Sequence, residues 1–188
     1  MMPSIAGMTL VELLVGVVLG LGAITAMGTL LASSIAARAR AATGAERFVE
    51  VAEAVDQLVR DVRIAGYDPT ARSSAGLVRA GIALIEMSAD LDANGSIDLD
   101  SDEHITYRPS VAGDSLQRVV GRQSMPIVSN LAPGGFRLRY FDATGAEIDP
   151  ALPGALASIR VVTCTLVTRA VEPLPGVRLS GGARLLNR

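Results

Sequence analysis

The stretch of this chain richest in chemistry is "DLDANGSIDLDSDE", residues 90–103, where six carboxylates and one side-chain amide fall within fourteen positions. Oxygen-bearing side chains at alternate positions, followed by a glycine, are what a hard cation needs from a short loop. Asp90, Asp92, Asn94, Gly95 and Ile97 fit the first eight positions of a calcium loop, with the glycine at the sharp turn. The twelfth position, ordinarily a bidentate carboxylate, is Ser101, so Asp98, Asp100 or Asp102 would have to complete a Ca2+ shell. No basic residue occurs between Arg79 and Arg108, and crowded carboxylates repel one another unless a cation joins them. The same residues would also build a solvated turn in which Asx side chains bond their own backbone. Candidate ligands are therefore Asp90, Asp92, Asn94, Asp98, Asp100 and Asp102, and the competing reading is a bare acidic turn.

A second chemical anomaly lies near the amino terminus, in "SIAGMTLVELLVGVVLGLGAITAMG". From Leu13 to Ile35 no residue is charged, a length sufficient to cross a hydrocarbon layer roughly 30 Å thick. Glu12 stands at the edge of this run, where a carboxylate costs about 2.5–3.5 kcal/mol on insertion scales. The nearest basic side chain, Arg38, is about 39 Å further along a helix. Cleavage after Gly7 would give Met8 a free ammonium at the depth of Glu12, and the two charges could neutralise each other within or between subunits. A secretory signal peptide fits poorly, because the leader "MMPSIAG" has no basic side chain and the glycine precedes the apolar run.

"G-MTLVELLVGVVLGLGA" resembles the class III signal of type IV prepilins and type II secretion pseudopilins. The resemblance implies that a prepilin peptidase cuts after Gly7 and methylates Met8, and that Glu12 guides subunit docking. "RDVRIAGYDP", residues 60–69, is similar to the end of the long helix in PilW-like minor pilins, and the acidic loop ahead of Glu103, Ile105 and Tyr107 is similar to a stretch found in the same group. The pseudopilin J group is the nearest competitor. The chain departs from the family pattern in lacking a basic leader and a phenylalanine at the first mature position.

These residues must be positioned by a long helix. Phe48, Val51, Val55, Leu58, Val62 and Ala65 follow 3-4-3-4-3 spacing and form one apolar stripe, while Glu50, Glu53, Asp56, Arg60 and Arg63 lie mainly off it. Arg60 and Arg63 suit a helix carboxyl terminus, Gly66 can cap it, and Pro69 follows. The pattern predicts one helix over residues 8–65, about 87 Å if straight. Gly16, Gly20, Gly22, Gly28 and Gly44 are its candidate bending points, and Gly16 and Gly20 form a Gly-xxx-Gly pair.

Beyond Pro69 the period changes to that of strands: Leu77–Met87, Glu103–Arg108, Leu116–Val120, Ile127–Leu131, Phe136–Phe141 and Ile159–Arg169. "FRLRYF" alternates, which implies a sheet buried on one face. The expected fold is α+β and pilin-like: a leader (1–7), a transmembrane or fibre-core half-helix (8–35), an amphipathic half-helix (36–66), and a mostly antiparallel β head (67–188).

The net charge of -2 gives no general basic field for nucleic acid. The single cysteine, Cys164, lies in an apolar strand pattern, and His104, the sole histidine, begins a strand. With no lysine, no nucleophile elbow and no zinc-type cluster, the sequence predicts no enzyme.

The expected function is that of a minor pilin at the priming or tip position. Its expected partners are prepilin peptidase, other minor and major pilins, and an inner-membrane assembly platform. Before assembly it would sit as a single-pass inner-membrane protein with a periplasmic head. A secretion pseudopilin and a membrane-tethered, calcium-dependent adhesion module are the alternatives.

Overall fold

The structure, a computed structural model, describes residues 9–172 and 174–187; Gly7 and Met8 lie outside the described residues. Helix α1 runs from Leu10 to Ile64 and continues without interruption through all five glycines named above. By compactness the chain divides into two units, the boundary falling between Thr43 and Gly44.

In the first unit the large apolar side chains of α1 are exposed, Leu10 to 79% and Leu31 to 63%. The helix is long and apolar enough to cross a membrane. Its hydroxyls are satisfied internally, as an apolar solvent demands. Thr25 donates to the Leu21 and Gly22 carbonyls, Thr29 to Ala26, Ser33 to Leu30 and Ser34 to Leu31.

In the second unit the rest of α1 packs on two antiparallel sheets. The first is a meander of β1 (Gly76–Gly81), β2 (Leu84–Ser88), β3 (His104–Pro109), β4 (Leu116–Val120) and β5 (Gln123–Val128), adjacent in that order. The second contains β6 (Leu131–Phe141), β7 (Glu147–Ile148), β8 (Val161–Thr168) and β9 (Arg178–Arg184), in the order β7-β6-β8-β9. A short helix, α2 (Ala155–Ser158), precedes β8. The fold is thus α+β, with the long amino-terminal helix set against antiparallel strands as expected.

One core joins helix and sheets. Val51, Val55, Leu58, Val62 and Ala65 are buried as the stripe predicts, together with Ala54. Phe48 is the exception, 51% exposed, so the covered stripe begins one turn later. Ile85, Tyr107 and Leu116 enter from the first sheet, and Phe136, Leu138, Tyr140 and Cys164 from the second. Strand β9 comes so close to α1 at Gly181 that a Cβ there would lie 2.4 Å from Val55 Cγ1.

Three strand expectations require correction. Residues 77–87 form a hairpin, because the chain reverses between Gly81 and its register partner Leu84. Ile127–Leu131 holds the end of β5 and the start of β6, which meet at Asn130 in left-handed conformation (φ 54°). β9, "RLSGGAR", was not anticipated, because glycines ordinarily weaken a strand pattern; here Gly181 permits the approach to α1.

The helix ends as predicted at Gly66 (φ 82°), whose N–H donates to the Ser88 carbonyl at 2.9 Å. Asn187 Nδ2 donates to the Arg63 and Ile64 carbonyls at 3.4 and 3.3 Å, so the carboxyl-terminal segment caps the helix.

Candidate functional site

Glu12 lies in the first turn of α1. Its backbone N–H donates to Thr9 Oγ1 at 3.3 Å, and Thr9-x-x-Glu12 has the spacing of a capping box. The Thr-x-x-Glu spacing is the sequence signal for this cap. A carboxylate here is favoured by the positive end of the helix dipole, which lowers the cost of holding it beside an apolar run. The hydroxyls further along the helix are bonded to carbonyls, whereas the Glu12 carboxylate has no side-chain partner among the described residues. Among the described residues up to Ile35, Glu12 is the one charged side chain, and it has no internal partner.

The acidic loop joins β2 to β3 and is closed largely by carboxylates accepting backbone N–H groups. Asp90 is fully buried and accepts from Asn94 N–H at 3.1 Å, Gly95 N–H at 2.9 Å and the Thr70 hydroxyl at 3.5 Å. Gly95 takes the left-handed conformation (φ 82°) that the turn requires. Glu103, also buried, accepts from Leu91 and Asp98 N–H at 2.8 Å and from Asp92 N–H at 3.3 Å. The Asp98 N–H above all holds the Glu103 carboxyl below its ordinary range, against the opposing effect of burial. Beside the loop, burial pushes the Asp68 carboxyl up, but bonds from Ser73, Thr70 and Arg72 outweigh it and bring the pKa down to about 2.

The six predicted ligands are not brought to one point. Asp90, Asp92 and Glu103 each offer an oxygen within 4.8 Å of the others, and these three residues could hold a cation. Glu103 had been assigned to the following strand. Asn94 instead bonds Asp92 and Ser96, and Asp98 accepts from Asp100 N–H at 2.9 Å. Asp100 turns to Arg122 with two bonds of 2.6 Å, a cation supplied by the β4–β5 turn and distant in sequence. Asp102 is exposed and lines a cavity of about 120 Å³ with Asp61, Ile64, Leu91, Ile105 and Arg118.

Behind that cavity Asp61 Oδ2 accepts from Tyr107 Oη at 2.6 Å and Arg118 Nε at 2.8 Å. Burial, then the Asp61 charge, pushes the Tyr107 phenol far above its usual range, so it stays protonated and donates. His104 sits on β3 as expected, half-buried, with Nε2 2.8 Å from Glu86 Oε1. Cys164 is buried in β8, and burial raises its thiol pKa.

Compared with known proteins, the chain matches no family model and no curated protein.

Proposed function

We propose that this chain is a minor subunit of a type IV pilus-like fibre, cut by prepilin peptidase after Gly7 and assembled through α1. The observation that carries the reading is the division of labour along one helix. Helix residues from Val51 onward are built into a β-sheet core, while residues nearer the amino terminus expose large apolar side chains and bond their own hydroxyls. A surface of that kind suits a membrane before assembly and neighbouring helices afterwards. At Gly16, Gly20, Gly22 and Gly28 an added Cβ would meet nothing within 4 Å, which leaves room for close helix approach. Glu12 supplies the charged registration point, directed at the new amino terminus of an adjacent subunit.

The test is Glu12→Ala in cells. Fibre recovery should fall to background while the subunit remains in the membrane with a protease-resistant head. Undiminished fibres would remove the docking role.

A second reading, a membrane-tethered head whose loop takes calcium, draws on the close approach of Asp90, Asp92 and Glu103. It would be favoured by surface binding that needs calcium and survives Glu12→Ala.

A further inference from the structure

The outer face of the second sheet is basic. Along β6 and β9 the residues pointing away from the core include Arg137, Arg139, Arg178 and Arg184, all exposed. The register places Arg137 beside Thr165 and Ser180, and Arg139 beside Thr163 and Gly182. The patch is about 10 Å wide over three strands and about 20 Å long from Arg178 to Arg184. Glu147 engages Arg139 with bonds of 2.8 and 2.6 Å. Arg137, Arg178 and Arg184 have no ion-pair partner among the described residues.

The complementary surface lies at the acidic loop. Asp92, Asp98 and Asp102 are exposed there, and Asp102 stands at the cavity lined by Ile64, Leu91 and Ile105. At about 120 Å³ this cavity is well below the size that encloses a metabolite, and it suits a single side chain. Its apolar lining can cover an aliphatic stem, and Asp102 can meet a cation at the end of it. Arg118, the cation already present, is bound by Asp61. No ion pair joins the acidic loop to the arginine face within one chain among the described residues.

We infer that the arginine face of one copy docks on the acidic loop of a second copy, with an arginine of that face entering the Asp102 cavity. Both halves of the contact are present on every chain, on different surfaces, so the contact is heterologous and can be repeated. Charge complementarity sets its register and makes it sensitive to salt. The inference goes beyond the fibre-subunit reading and does not depend on it.

The experiment is sedimentation velocity of the full chain in detergent micelles, where the apolar helix is covered and association must come from the head. The wild type should self-associate at low salt and dissociate at high salt. Asp102→Arg should weaken association at least about tenfold, and so should Arg178→Glu with Arg184→Glu in one chain. Mixing those two variants should restore it, because the reversed cavity then meets a reversed face. The substituted positions are exposed, and unchanged circular dichroism would verify folding. A wild type that stays monomeric, reversals without effect, or a mixture that fails to recover would overturn the inference. So would inorganic polyphosphate binding that the arginine reversals abolish while self-association persists. Self-association lost in Asp102→Arg but kept at the wild-type level in Glu12→Ala would support the head contact whatever becomes of fibres, whereas equal self-association of Asp102→Arg and wild type would refute the contact and leave the fibre reading standing.

Discussion

Tyr107 Oη donates a 2.6 Å hydrogen bond to Asp61 Oδ2, tying the centre of the first sheet to the last turns of α1, and Arg118 Nε reaches the same oxygen at 2.8 Å. Both members of the ion pair are largely buried, with side chains 14% and 11% exposed. Removing one partner strands the other in a low-dielectric site. Asp61→Leu should therefore destabilise the head by about 3 kcal/mol, because it removes the carboxylate that both groups share and leaves the guanidinium charge with the neutral Tyr107 hydroxyl, 3.2 Å from Nε, in place of its counter-ion. Tyr107→Phe should cost about 1–2 kcal/mol. Urea unfolding of the full chain in detergent, followed by circular dichroism, measures both. Equal effects would contradict the assignment of Asp61 as the shared acceptor.

The acidic loop should be sensitive to acid. The folded-state pKa values of Glu103 and Asp68 are lowered, so these groups bind protons more readily when the chain is unfolded. Their stabilisation is complete above the unfolded carboxylate range, about 4, and is lost as pH falls through their depressed folded values. The melting temperature should hold from neutrality to about pH 5 and then fall. Glu103→Gln should lower the plateau and flatten the decline; a variant with the wild-type slope would show that Glu103 does not close the loop.

Gly181→Ala places a methyl group 2.4 Å from Val55 Cγ1, in a contact between β9 and α1 that has no slack. The expected cost is about 1–3 kcal/mol. Adding Val55→Ala, itself destabilising by cavity formation, should produce a double variant more stable than the sum of the single effects predicts. Strict additivity in urea titrations would place the strain elsewhere.

Much of the architecture was legible because periodicity reports what a segment packs against. Val51, Val55, Leu58 and Val62 announced a covered helix face, and Phe136, Leu138 and Tyr140 a half-buried strand. Phe48 fitted the same period but lies where the head no longer covers the helix, a boundary that spacing does not encode. β9 was hidden because its pattern is broken by two glycines, one of which, Gly181, serves the helix contact. The loop showed a similar limit: Asp90 and Asp92 approach as alternation suggested, but Asp100 is drawn to Arg122 and Glu103 completes the cluster from the turn just before β3. Those partners are fixed by sheet register, which local spacing does not report.

The fibre-subunit account rests on cleavage after Gly7, since that step creates the charge Glu12 would meet. The most direct test is the amino-terminal sequence and intact mass of the membrane-extracted protein, from cells with and without prepilin peptidase. The account predicts a peptidase-dependent start at Met8 carrying one added methyl group. A chain that begins at the same residue in both cells, with Gly7 still joined to Met8, would contradict it.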